Sequence, residues 1–523
     1  MARLLAVLAL AISASCTAAT VPPASPSPSP ASPSISAAPT ALPADRIQIL
    51  HTDDIHGRLD SEVVSNGTTS FGQGGMAALA GTVAVLRRRA PEHTLLLDGG
   101  DAWQGTFISN ENKGATVTRA MSLMQYDAMS VGNHDFDWGQ DVLAQRAKEA
   151  SFPFLATNVV ETATGKLPSY LRPYVVKDLG IARVGIVGVT NPDSNTIVKP
   201  TSVAGLRFGP AADVAPTIRE LRPQVDILIV LAHIGSGDAA KLARDVPGID
   251  VIVASHDHQP LQTARLEGST TIVDAGAYTQ FIGRLEIVVD PATHKMKDAI
   301  RAGELMAIAT SNTVKADPEI AALVTGRRLE TEKYTSRVVG TIASDLDSSS
   351  RDENALGNMI TDAFVEYGRQ LGWRTDVAFY NAAGIRAPLR AGPVTYGQLY
   401  QVLPFANAIV SVDLTGAQLR EVLEDAAGRA GRVQIGGGRF VYRFANAAGQ
   451  RVLSATIAGE ALDPARVYHV ATIDYLLLGG DGHTWFGKGT NVIYGDVEVD
   501  AVAAFMTAHS PLDPKVEGRI TQQ

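Results

Sequence analysis

The chain has 523 residues, 45% of them hydrophobic and 19% charged, a composition that supports packed cores and excludes wholesale disorder. Its formal charge is −9, and with no basic tract this argues against a nucleic-acid polymer as partner. A single cysteine excludes an intramolecular disulfide and a cysteine-rich zinc site.

Met1-Ala2-Arg3 is a short basic start, and Leu4 to Ile12 is an unbroken apolar run. That run suits a signal-peptide core and falls short of the roughly 20 residues that span a bilayer. Ser13-Ala14-Ser15 then leads to Cys16. The arrangement resembles a bacterial lipoprotein signal, which implies acylation of Cys16 as the mature N-terminus and attachment to a membrane. It departs from that pattern at Ser13, where Leu is usual; plain secretion after Ala14 or Ala19 is the alternative. From Thr17 to Pro43 the chain is almost entirely Ala, Ser, Pro and Thr without charge, an extended spacer with nothing to bury. Residues 1–16 are thus expected to be a signal and 17–43 a disordered tether. The protein is expected to be exported, to the periplasm or cell surface if anchored.

Beyond Arg46, short apolar runs recur and each hands over to Asp, His or Asn. Ile47–Leu50 leads to Asp53-Asp54-Ile55-His56-Gly57, Thr94–Leu97 to Asp98-Gly99-Gly100-Asp101, and Ala128–Val131 to Gly132-Asn133-His134-Asp135. Ile227–Ala232 leads to His233, and Val251–Ala254 to Ser255-His256-Asp257-His258. Such runs closed by Gly and Asp predict buried strands, and helical stretches at Met76–Arg89 and Gln140–Ala150 lie between them. Alternating strands and helices predict a layered α/β domain with ligands beyond the strand C-termini. One cluster alone could be a turn or a structural histidine. Five together offer oxygen and imidazole ligands without sulfur, a set suited to two divalent ions of the Mn, Zn, Fe or Mg kind.

Asp54-x-His56, Gly100-Asp101, Gly132-Asn133-His134-Asp135, His233 and His256-x-His258 resemble, in order, the motifs of calcineurin-like dinuclear metallophosphoesterases. Thr52-Asp53-Asp54-Ile55-His56-Gly57, Gly132-Asn133-His134-Asp135-Phe136-Asp137 and motifs further on resemble the 5′-nucleotidase / UDP-sugar hydrolase family. The resemblance implies a four-layer αββα sandwich over residues 44–312. It implies one metal on Asp54, His56 and His258, a second on Asn133, His233 and His256, and Asp101 bridging them. The ions would be two divalent cations (Mn, Zn, Fe, Co or Mg), with a bridging hydroxide attacking the phosphoryl group in line. His134 would stand beside the leaving oxygen, oriented by Asp137; the alternative for Asp137 is an exposed acid at a helix start. The family usually has Asn where this chain has Asp53, and the extra carboxylate either raises metal affinity or faces solvent.

A polar helical stretch, Pro318 to Lys333, predicts a linker helix within residues 313–337. Past it, Leu356-Gly357-Asn358 opens a helix and Val377–Tyr380 is a strand running into Asn381-Ala382-Ala383-Gly384-Ile385-Arg386. Leu403-Pro404-Phe405-Ala406-Asn407 and Asp474-Tyr475 through Asp481-Gly482 follow. These resemble the same family's C-terminal α+β substrate domain, placed at 338–523. The resemblance implies that Phe405 and Tyr475 sandwich a base. Asp481 would bind ribose hydroxyls, Asn381 and Asn407 base or phosphate, and Arg386 phosphate. Many relatives have Asn-Gly-Gly-Gly at Asn381–Gly384, and often a second phosphate-binding Arg just before the Leu-Gly-Asn turn, where Arg351 is this chain's nearest candidate.

The implied activity is removal of the 5′-phosphate from nucleoside monophosphates, with di- and triphosphates or UDP-sugars as further substrates. The alternatives are a 2′,3′-cyclic nucleotide phosphodiesterase/3′-nucleotidase, a thiosulfohydrolase-like enzyme, and a non-catalytic nucleotide-binding surface lipoprotein.

Overall fold

The computed structural model describes residues 40–65, 70–311, 313–348, 353–429 and 433–523. The expected signal, Cys16, most of the tether and Arg351 lie outside the described residues.

The strand Arg46–Thr52 is buried from Ile47 onward. It pairs parallel with Thr94–Asp98 and antiparallel with Phe281–Val289. Ala128–Ser130 and Phe154–Leu155 extend the parallel side, and Met296–Ala307 forms the opposite edge. A second six-stranded sheet runs in the order Arg265–Glu267, Thr270–Val273, Val251–Ala254, Ile227–Ala232, Arg183–Val189, Tyr174–Asp178. The five strands read from the sequence therefore divide between two sheets, three in the first and two in the second.

Side-chain alternation sorts the layers. Ile47, Ile49, Leu95 and Leu97 of the first sheet pack against Val184, Ile186, Ile227 and Ile229 of the second. The alternate residues turn outward: Leu50 and Leu96 meet the helices Met76–Arg87 and Ala115–Leu123. Val187, Leu228 and Val230 meet Ala215–Leu221 and Gly235–Asp245. The result is helix, sheet, sheet, helix. Because both faces of the central strands Thr94–Asp98, Ile227–Ala232 and Val251–Ala254 are covered, their sequences are almost continuously apolar rather than alternating.

The helix Pro318–Thr335 begins at Asp317, whose side chain accepts from the amides of Glu319 and Ile320, with Pro at the first turn. Its Ile320 and Val324 join the first domain's core. Beyond it, a five-stranded sheet is ordered Val433–Gly436, Val377–Asn381, Val467–Ile473, Ala408–Thr415, Thr490–Val497. The helices Ala355–Gln370, Gly416–Gly428 and Glu498–His509 contribute to one core with it. This α+β domain rests on the first: the side-chain amide of Asn110 donates to the carbonyl of Pro404 (2.8 Å), and Phe107 meets Tyr400 edge-on at 5.1 Å.

Candidate active site

The loops leaving the strands converge. Five of the residues expected to hold metal have left-handed backbones: Asp54 (φ 51°), His56 (φ 48°), Asp101 (φ 55°), His256 (φ 91°) and His258 (φ 56°). Such conformations cost about 1–3 kcal/mol each, persist only where the surroundings over-determine them, and gather at functional sites. Part of the restraint is visible. The Asp135 carboxylate accepts from the amides of Asp101 (3.0 Å), Ala102 (3.1 Å) and Gly132 (2.9 Å), stapling two of the loops together.

Two groups of ligand atoms result, Asp54, His56 and His258 in one and Asp101, His233 and His256 in the other. In the first, Nε2 of His56 and Nε2 of His258 are 3.1 Å apart, and Nε2 of His258 is 3.6 Å from Oδ1 of Asp54. In the second, Nε2 of His233 is 3.1 Å from Oδ2 of Asp101 and 3.2 Å from Oδ1 of Asn133. Asp101 links the groups, since Nε2 of His56 also lies 3.9 Å from its Oδ2. The far sides of two rings are fixed: Nδ1 of His56 faces the carbonyl of Gln104 (2.7 Å) and Nδ1 of His233 that of Gly99 (3.0 Å). Fixing one ring nitrogen on a carbonyl aims the other at the cluster.

The residues fit a pair of cations. Oδ1 of Asp54 is buried with no hydrogen-bond donor, a costly condition unless a cation satisfies it. Burial pushes the Asp54 carboxyl up and holds His56 and His258 well below their usual range, so both imidazoles are neutral and free to ligate. Burial and neighbouring His233 bring His256 down to about 4. All the donors are nitrogen or oxygen, the preference of Mg, Mn, Fe and Zn sites.

Asp53 does not face solvent. It is 3% exposed, and its Oδ2 accepts from the amide of Ala275 (2.6 Å) and faces Nδ1 of His51 (3.0 Å). It therefore braces the loop beneath the ligands. Asp137 is not an exposed helix-start acid either: its Oδ2 is 2.9 Å from Nδ1 of His134, with both side chains largely buried. Burial opposes protonation of His134, but the Asp137 and Asp101 carboxylates outweigh it and lift the imidazole above its usual range.

Next to the cluster lies a cavity of about 410 Å³ walled by both domains. The first domain supplies Asn133, His134, Asp137 and His256; the second supplies Asn381, Arg386, Phe405, Asn407, Tyr475 and Asp481. All six described residues of the second domain expected to touch substrate are on this wall. The Asp481 carboxylate accepts from Tyr475 Oη (2.7 Å) and Asn381 Nδ2 (2.9 Å). One face of the Tyr475 ring is covered by Gly480, where a Cβ would fall 2.5 Å from three ring atoms. Phe405 stacks on His134, and Arg386 lies over Phe405, its Cζ 5.8 Å from the ring centroid. The amide nitrogen of Asn407 is bound to Oε1 of the buried Glu498 (3.0 Å). Ala382 is buried and Ala383 reaches the cavity wall.

Sequence reasoning passes over three contributors. Asn191 places its side-chain amide 2.8 Å from Nε2 of His256. It follows the strand Arg183–Val189, a sixth polar strand end obscured by Gly185 and Gly188 within the apolar run. Trp138 and Lys199 also line the cavity and carry no local signal.

Residues 47–260 match the family model described as calcineurin-like phosphoesterase, and residues 335–488 that described as 5′-nucleotidase, C-terminal domain. Fold and site thus define a two-domain metallophosphoesterase, a phosphoric monoester hydrolase built for two divalent metal ions. The chain is 30% identical to 5′-nucleotidase from Homo sapiens over 92% of its own length and 91% of that protein's. It is 27% identical to protein UshA of Yersinia enterocolitica over 89% and 92%. The crystal structure of a 5′-nucleotidase precursor from Thermus thermophilus superposes with a TM-score of 0.83 at 28% identity, covering 91% of this chain and 99% of that one. The chain belongs to the 5′-nucleotidase family.

Proposed function

We infer that the protein removes the 5′-phosphate of nucleoside monophosphates, AMP among them. The observation that supports this best is the single cavity joining the metal-ligand cluster to Phe405, Tyr475 and Asp481: one wall suits a phosphate, the other a nucleoside. A thiosulfate substrate would leave the two aromatic rings and Asp481 without a role.

In this reading Asp54, His56 and His258 hold one ion, Asn133, His233 and His256 the other, and Asp101 lies between. Bound there, two divalent ions supply positive charge to phosphoryl oxygens and make water acidic enough to react near neutral pH. The protein's own groups do the rest. Arg386 offers a planar fork to phosphate oxygens. The open face of Tyr475 and the ring of Phe405 hold the base by stacking, and Asp481 accepts from the ribose hydroxyls. His134, whose hold on its proton the Asp137 and Asp101 carboxylates strengthen, carries the proton to the departing 5′-oxygen.

Phosphate release from AMP with Mn²⁺, abolished by chelation and by Asp101→Ala, is the expected result; full activity in that variant refutes the assignment. Running 2′,3′-cyclic AMP in parallel separates the cyclic phosphodiesterase alternative.

We further infer export and anchoring through acylated Cys16, supported by the apolar run Leu4 to Ile12 and the uncharged spacer behind the cysteine. Among the described residues no helix is long and apolar enough to cross a membrane. Mass spectrometry of the mature N-terminus tests the anchor.

A further inference from the structure

The segment Thr190–Ser202 of the first domain touches both the metal-ligand cluster and the second domain's wall of the cavity. Asn191 reaches His256, and Ser202 Oγ donates to the main-chain carbonyl of Asp137 (2.9 Å). Between them the short helix Ser194–Ile197 packs on the turn Gly480–Gly482 of the second domain, which carries Asp481. Lys199, just past that helix, pairs with Asp474 across the domain boundary.

The two partners are unequal. The Lys199 side chain is 38% exposed, whereas that of Asp474 is 6% exposed. Oδ2 of Asp474 receives Lys199 Nζ, and its Oδ1 is buried without a donor. Glu498, close enough for the Asp474 charge to push its carboxyl further up, is also fully buried. Asp474 thus sits in an acid-rich, desolvated spot, and Lys199 is the cation that compensates it. Asp474 directly precedes Tyr475 and opens the turn of helix Asp474–Leu477 that carries the ring.

We propose that Lys199 is an interdomain positioning residue: its ion pair with Asp474 latches the Tyr475–Asp481 platform onto the segment supporting His256 and Asp137. The latch holds nucleoside and metal subsites in one cavity. This rests on the nucleotide reading above for its kinetic consequence, but not for its structural one.

The test uses the full chain with Cys16→Ser, so that labels attach only to cysteines introduced at Lys241 and Glu460. These are surface positions, 66% and 77% exposed, one in each domain. In Lys199→Met the label-to-label distance distribution should gain a longer population, and KM for AMP should rise about fivefold with kcat changed less than about twofold, the upper end of the scale for an ion pair with one partner in reach of solvent. AMP hydrolysis should fall more than p-nitrophenyl phosphate hydrolysis. Lys199→Arg, which keeps the charge, should restore both readouts. High salt should lengthen the wild-type distances toward those of Lys199→Met. Distances in Lys199→Met identical to wild type, or an Arg variant that behaves like Met, overturn the latch. Should the wild type leave AMP intact, the nucleotide reading fails while the distance measurement still judges the latch.

Discussion

The ring of Phe405 lies against the imidazole of His134, centroids 5.4 Å apart and planes 30° from parallel, so a residue of one domain packs on the predicted proton donor of the other. With Phe405 holding the base and His134 the proton, as proposed, this contact ties base binding to chemistry. Phe405→Ala should lower kcat/KM for AMP by about 5- to 100-fold, the range expected for loss of one aromatic–base stack. It should also narrow the gap between AMP and ribose 5-phosphate, which carries the same ester without a base. Steady-state kinetics on the two substrates check it.

His134 and Asp137 should separate by the size and the pH dependence of their effects. His134→Gln should cost about 10²- to 10⁴-fold in kcat, the usual worth of a general acid, with metal content unchanged. Asp137 raises the affinity of His134 for its proton. In the proposed role the protonated imidazole is the active form, so kcat should fall as pH rises through its pKa. Asp137→Asn removes the neighbouring charge, lowers that pKa, and should move the alkaline limb of the kcat profile to lower pH. An unmoved limb in Asp137→Asn contradicts this pairing.

Metal and stability should be coupled. The ligands are brought together only in the folded chain, so bound ions stabilise it by mass action. Dialysis against a chelator should abolish activity and lower Tm by several degrees, and added Mn²⁺ should restore both. Asp101→Asn, altering the carboxylate shared by the two groups, should reduce the metal-to-protein ratio measured by elemental analysis and cut kcat by about 10²-fold or more.

Glu498 makes a separate prediction about pH and stability. Burial pushes its carboxyl up to about 8, against 4.5 as the ordinary value. In this window the folded chain holds a proton on Glu498 that the unfolded chain has released, so this group's contribution to stability is fully present below about pH 4.5 and is lost as pH rises to about 8, with a slope approaching about 1.4 kcal/mol per pH unit. Glu498→Gln keeps an oxygen for Asn407 and removes the titration. Its Tm should therefore fall less than the wild-type Tm between pH 6 and 8.5, as thermal unfolding at both pH values will show.

Much of the site is legible in the order of residues. Ile227–Ala232 and Val251–Ala254 begin and end where their apolar runs predict, because a strand covered on both faces shows in consecutive residues. The polar groups that follow each run are legible for the same reason, and their order along the chain carries the family resemblance. Arg183–Val189 is harder to read because two glycines interrupt its apolar run, although Asn191 follows it as a ligand-side residue follows the other strands. Asp53 is visible as an extra carboxylate, but one of its partners, the amide of Ala275, belongs to a loop 222 residues away.

Residue order alone thus determined the metal-side strands and the nitrogen- and oxygen-rich ligand set, consequences of local composition and short-range periodicity, while the two-domain plan followed from the resemblance of the motifs to a family. Tertiary structure alone decided which strands share a sheet, which face of Tyr475 stays open, how Phe405 meets His134, and that Lys199 finds Asp474 275 positions further on. Those relationships are set by the packing free energy of whole layers and domains, in which no single stretch of sequence holds both partners.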